Sequence, residues 1–171
     1  MTRSDISFAV HQWARFVANP KIEHDEAVRW LGWYLKGTRD KGTIMRPMPD
    51  KELEVYVDAS FCGNWDPAEA VRDRDTARPR HGYLINYANC PLLSKSQLQT
   101  EIALSLTESE YTGLSYALRE AIPIMQLLKE MKDHGFPIIT PQARVHCHVL
   151  TITVGPWKWR RSTNRDQERS T

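Results

Sequence analysis

One long amphipathic helical period, residues 105–132, comes after a series of short strand-like runs, and this order admits few folds. Leu114, Ala117, Leu118, Ala121, Met125 and Leu128 recur along one side of it, a stripe that has to be buried against another element. Before it, residues 53–59, 82–87 and 92–96 read as strands, the last two antiparallel around Asn89-Cys90-Pro91. After it, residues 143–149 read as one strand more. The order β-β-β-α-β describes an α/β layer rather than a helix bundle. Pro123 falls inside the helical period. An interior proline costs about 3 kcal/mol, so a kink or restart is expected near Ala121. Gly135 and Pro137 close the element.

The first part of the chain is helical in pattern. Ile6, Val10, Trp13, Ala14 and Val17 fit a helix over residues 4–19, with Ser4 or Asp5 as N-cap and Asn19-Pro20 as its end. A second helix, residues 24–36, carries Ala27, Val28, Leu31, Tyr34 and Leu35 on one side and meets Gly37 as a C-cap. The two form an expected helical hairpin. Residues 42–46 suit a short strand cut off by Pro47 and Pro49. Residues 64–80 form a loop of mixed charge, best read as solvated surface.

Composition narrows the function classes without choosing among them. With 171 residues the chain is one ordinary domain or a domain with an appendage. Fully folded, a chain of this size buries close to 70 % of its surface and needs no staples. Cys62, Cys90 and Cys147 are odd in number and far apart, which excludes a disulfide framework and a zinc ribbon. No signal-peptide core or membrane-length run is present. The expectation is a soluble intracellular protein, cytoplasmic or nuclear, without a membrane or a small-molecule cofactor. A net charge of +2 is too small to argue for nucleic acid. Gly-rich phosphate loops, Cys/His ligand clusters, Gly-x-Ser-x-Gly elbows and internal repeats are all absent.

Two carboxylates carry the chemistry. Asp58 closes the run Leu53-Glu54-Val55-Tyr56-Val57-Asp58, and Glu110 lies near the front of the long helix. They can meet only if helix and sheet pack together, and such a pair is the least that holds a divalent cation beside a phosphodiester. Both also have ordinary readings. Asp58 alternates with Tyr56 and Glu54, as an aspartate on a solvated face or strand end would. Thr107-x-x-Glu110 matches a capping box, and so does Ser105-x-x-Glu108 one register earlier. In that earlier register Glu110 lies inside the helix, on the side of Leu114, Ala117 and Ala121. There a carboxylate is costly unless paired, hydrogen-bonded or metal-bound. The residues alone leave Glu110 between cap, metal ligand and salt bridge.

Ordered motifs carry a resemblance. Val55-Tyr56-Val57-Asp58-Ala59-Ser60-Phe61, His81-Gly82-Tyr83, Ser94-Lys95-Ser96-Gln97 and Ile102-Ala103-Leu104-Ser105-Leu106-Thr107-Glu108-Ser109-Glu110-Tyr111 stand in one sequence order. That order resembles the ribonuclease H domain in the Pol polyprotein of copia-type LTR retrotransposons. Earlier motifs, among them Asn19-Pro20 and Tyr34-Leu35-Lys36-Gly37-Thr38, resemble the segment linking reverse transcriptase to that domain. The resemblance runs over residues 4–149. It implies a helical connection over residues 1–46, a partial ribonuclease H-like α/β domain over 47–149, and a non-homologous, disordered tail over 150–171. The implied fold is C-terminally truncated: three antiparallel strands, a long helix and a further strand, behind an N-terminal helical hairpin. The implied activity is cleavage of the RNA strand of RNA–DNA hybrids, with Asp58 and Glu110 as ligands of two Mg²⁺ ions roughly 3.5–4 Å apart. Lys95, Arg78 and Arg80 are the expected phosphate contacts, since hybrid binding is mostly backbone electrostatics. Glu108 is left as a cap.

The resemblance breaks at one place. After a strand like residues 145–149 the family carries an acid, commonly Asp-Asn, as a third metal ligand. This chain reads Leu150-Thr151-Ile152-Thr153-Val154 instead. A frameshift or splice error past Val149 is the expected cause, and the expected consequence is a degenerate copy with weak or no activity. Asp66, Asp73 or Asp75 are the acids in reserve for a working nuclease; a non-enzymatic hybrid-binding or structural remnant is the alternative. Trp157-Lys158-Trp159-Arg160-Arg161 is assigned to the tail, and His146-x-His148 has no assigned role. The polymerase's Tyr-x-Asp-Asp is missing, for Ala59 follows Asp58.

Overall fold

The computed structural model describes residues 3–62, 65–68, 71–138 and 147–151. Helix α1 (Ser7–Ala14) follows a 3-10 turn, and α2 (Ile22–Gly37) comes next. Strands β1 (Leu53–Ser60), β2 (Arg80–Tyr87) and β3 (Cys90–Leu98) precede α3 (Leu106–Asp133) and β4 (Cys147–Thr151). The sheet order is β3-β2-β1-β4, with β1, β2 and β3 antiparallel neighbours and β4 parallel to β1. A mixed α/β layer is thus what the order of elements foretold.

Helix α3 covers one face of the sheet. Alternation puts Leu53, Val55 and Val57 of β1 beneath it, with Tyr83 and Ile85 of β2, all buried. The helix answers with Ser109, Gly113, Ala117, Ala121 and Leu128. Four of these are small, so the helix comes close: a Cβ built on Gly113 would stand 3.2 Å from the His81 Cβ and 3.4 Å from the Ala59 Cβ. Close approach maximises dispersion contact and apolar burial along the seam.

The other face carries the alternate residues Tyr56 and Asp58 of β1 with Gly82, Leu84 and Asn86 of β2. Helix α1 lies on that face against β2 and β3. Arg80, one residue before His81, points to it and meets Phe8, His11 and Gln12. Stacking of Phe16 on His24, centroids 4.0 Å apart, joins α1 to α2. None of the α2 residues is buried, and Trp30 and Trp33 are exposed.

Local expectations fared unevenly. Residues 42–46 form no strand: Ile44 and Met45 are exposed and the prolines deny them a ladder. The first helix is shorter than residues 4–19, without a side-chain N-cap, and Asp5 instead binds Arg3 and Tyr34. Gly37 is the last residue of α2 rather than its cap. The β2–β3 turn is Ala88-Asn89, both at positive φ, and Cys90 and Pro91 already belong to β3. Gly135 at φ 81° does end α3, with Phe136 N donating to Met131 O and Gly135 N to Lys132 O, a Schellman closure. Strand β4 runs through Leu150 and Thr151, two residues into the expected tail. Residues 143–146, the start of that expected strand, and the Trp157–Arg161 motif lie outside the described residues.

Helix α3 also continues through Pro123 without a restart. Ala117 and Ala121 on one side of the proline and Leu128 on the other all pack on the sheet, which holds the helix together across the missing amide. Pro123 itself is exposed. Pro123→Ala is therefore expected to raise stability by about 1–3 kcal/mol, read as a higher urea midpoint at unchanged slope. A loss of stability would show that the proline is preferred where it stands.

Candidate functional site

The start of α3 is tied to the end of β1. Ser105 is the N-cap: its Oγ accepts from Glu108 N at 3.1 Å, and Glu108 Oε2 accepts from Leu104 N at 2.7 Å. The earlier of the two capping registers is the real one, so Glu108 caps and Glu110 stands inside the helix. One residue before Glu110, the fully buried Ser109 donates from Oγ to Ser60 O at 3.1 Å. Gln99 Nε2 donates to Ser109 O at 2.8 Å, while Gln99 N donates to Pro79 O at 2.8 Å. These bonds lock the helix start, the strand end and the segment after β3 together. In the sequence Ser109 is marked only by its four-residue spacing with Gly113, Ala117 and Ala121, and no local pattern marks Gln99.

Asp58 is exposed and opens into a cleft of about 390 Å³ lined by Tyr56, Asp58, Gly82, Tyr83, Leu84 and Asn86. Gly82 is its cross-strand partner and presents no side chain beside it. On the other flank the described part of β4 stops with Thr151 opposite Val57. Glu110 is half-buried at the rim of the helix–sheet seam. The two segments therefore meet, but from opposite sides of β1: Val57 and Ala59 face α3, and Asp58 faces away from it. Among the described residues no three His, Cys, Asp or Glu side chains gather closely enough to hold a metal ion.

The reserve acids are engaged elsewhere. Asp73 Oδ2 accepts from Arg15 Nη2 at 2.7 Å and its Oδ1 caps Asp75 N at 3.0 Å. Asp75 pairs with Arg78 at 2.9 Å and lies 3.8 Å from Arg15 Nε. Asp66 caps Ala68 N at 2.9 Å. None of the three lines the Asp58 cleft. The acids Glu52 and Glu54 are buried near the opposite end of β1, where Glu54 accepts from Lys51 and from the Tyr56 hydroxyl at 3.1 Å each.

The three expected phosphate contacts differ in access. Lys95 is exposed, in register with Tyr83 and hence on the α3 face. Arg78 is partly exposed and shared with Asp75. Arg80 is only 8 % exposed, because α1 sits over it. As arranged, it is a structural cation rather than a surface one.

His81 is fully buried between these groups. Its ring stacks on Tyr116 with centroids 4.6 Å apart, and neither ring nitrogen has a hydrogen-bond partner. Burial first, then the charges of Lys95 and Arg80, push its pKa from 6.5 down to about 4. Burial, with the Glu120 carboxylate adding to it, pushes the Tyr83 phenol up to about 12. Both rings stay neutral at physiological pH.

Among the described residues no helix is long and apolar enough to cross a membrane. No protein-family model matches the chain, and no solved structure matches it. It is 35 % identical over 133 residues to the retrovirus-related Pol polyprotein from transposon TNT 1-94 of Nicotiana tabacum, covering 78 % of this chain and 9 % of that protein. To the Pol polyprotein from transposon RE1 of Arabidopsis thaliana it is 30 % identical over 130 residues, or 76 % and 8 %. The chain thus spans less than a tenth of the Pol polyproteins it matches. Secreted RxLR effector protein 161 of Plasmopara viticola is 30 % identical over 122 residues, covering 71 % of this chain and 80 % of that protein. In that relative the shared region is most of the polypeptide.

Proposed function

The chain belongs to the family of copia-type retrotransposon Pol polyproteins, and from this premise we propose that its sheet and α3 are a ribonuclease H-like module that has lost most or all of its hydrolytic power. Residues 1–46 would be the helical connection leading into it. The substrate class of the module is the RNA–DNA hybrid, held by its phosphates.

The observation that carries this reading is the Ser109–Ser60 bond, which sets Glu110 at the end of β1 that bears Asp58. On its β4 side β1 is flanked by no described strand past Thr151, so a cation beside that edge is approachable by Asp58 from one side and Glu110 from the other. Their carboxylate oxygens are the hard donors Mg²⁺ prefers. In such a site the ion would supply Lewis acidity and lower the pKa of a bound water. Two carboxylates on opposite sides of one strand, with no third donor among the described residues, fit one loosely held ion and leave a second unsupported. Lys95 and Arg78 would bind phosphate oxygens, and the bare Gly82 leaves the backbone beside Asp58 open to a ligand.

A labelled hybrid incubated with purified protein and Mg²⁺ tests this. RNA-strand cleavage within about tenfold of the Asp58→Asn variant is the expected result, since the transition-state charge lacks its second ion. Metal-dependent cleavage at least 100-fold above that variant would refute the loss of activity. A second reading, binding without catalysis, is favoured by the relative in which this region makes up most of a short protein. It expects retention of the hybrid in EDTA, weakening steeply with salt, and no effect of Asp58→Asn.

A further inference from the structure

Arg80 is enclosed by α1 in a way that depends on one proton. Its Nη1 lies 3.0 Å from His11 Nδ1, its Nη2 donates to Gln12 Oε1 at 2.7 Å, and its guanidinium lies 5.0 Å from the centre of the Phe8 ring. A guanidinium stays protonated throughout the physiological range and can only donate. At 3.0 Å, then, His11 must offer the Nδ1 lone pair and carry its hydrogen on Nε2. A second proton on the ring removes that acceptor and sets two cations face to face. We propose that α1 is a proton-released cover, seated on the sheet while His11 is neutral and unseated when His11 takes up a proton.

The surroundings of His11 support this. The charged groups acting on it are Arg80 from β2 and Arg15, the C-cap of α1, both positive. Asp73 and Asp75 from the loop before β2 are engaged with Arg15. Burial, then Arg80 and Arg15, lower the His11 pKa from 6.5. By linkage, a group whose pKa is depressed in the docked state favours docking above its free value and ceases to do so as pH falls. Docking of α1 is therefore strongest above pH 6.5 and weakens on acidification. Its release would expose Arg80 on the face into which Asp58 opens, two positions from Gly82.

Amide hydrogen exchange over residues 7–14, corrected for intrinsic rates and referenced to α3, reads the latch directly. Between pH 7.5 and 5.5 the wild-type protection of α1 is expected to fall by up to about tenfold per pH unit below the free imidazole value. The reference to α3 removes any global loss of stability. His11→Asn keeps an acceptor without a titrating proton and is expected to hold its α1 protection constant over this range. Arg80→Gln, which removes the opposing charge, is expected to flatten the response even if His11→Asn docks poorly. A pH response of wild-type size in both variants, or none in the wild type, overturns the proposal.

Discussion

Gly113→Leu is expected to cost about 3 kcal/mol or more and to separate α3 from the sheet. A Cβ alone would already stand 3.2 Å from the His81 Cβ, 3.4 Å from the Ala59 Cβ and 3.8 Å from Val57 Cγ1. Three further carbons have nowhere to go, since Val57 and Ala117 on either side are buried too. Relief would require the helix to lift, which breaks the Ser109–Ser60 bond and uncovers Val55, Val57 and Ile85. Gly113→Ala is the calibrating variant. Its one methyl meets a tight contact, while alanine gains about 1 kcal/mol of helix propensity. The two nearly cancel, so its stability should lie within about 1 kcal/mol of the parent. Urea unfolding of both variants checks this; a leucine tolerated as well as an alanine would mean that the helix and strand do not approach so closely.

Acidification should unfold the protein through His81. Its pKa is about 4 in the folded state against 6.5 for the free imidazole. Above pH 6.5 the ring is neutral in both states and contributes no difference. Between 6.5 and 4 the unfolded chain takes a proton that the folded one refuses, so stability falls with pH and levels off below 4. At about 1.4 kcal/mol per unit the loss is at most about 3–4 kcal/mol. His81→Phe keeps the stack on Tyr116 while removing both the titration and two unpartnered ring nitrogens. It is expected to be more stable by about 1–2 kcal/mol at pH 7, and its urea midpoint should fall less steeply than the parent's from pH 6.5 to 4.5, the remaining slope being that of groups such as His11. A variant with an undiminished slope would assign the acid sensitivity to another group.

Much of the fold was legible because its signals are local. The alternation of residues 53–59, the helical stripe after Ser105 and the glycine at position 135 each answer to backbone geometry and burial within one element. The failures were local patterns that tertiary contacts overruled. Pro123 did not break a helix pinned on both sides, and residues 42–46 had extended character but no partner strand. Gly37 matched a cap yet stayed helical. The capping ambiguity at Thr107 and Ser105 was of another kind, for two registers satisfied the same rule until Ser105 Oγ took the Glu108 amide.

By itself the amino-acid order determined the sequence of strands and helices and the family kinship, and it singled out two acids as candidates, since each is written in side-chain chemistry at fixed spacing. Only the tertiary structure decided which way those acids point. Strand alternation turns Asp58 from α3 while Ser109 draws Glu110 to the same strand end. It likewise decided that Arg80 is enclosed under α1 and that His81 is buried without a hydrogen bond. Direction and burial depend on what other parts of the chain pack against a residue, and a one-dimensional pattern does not contain those neighbours.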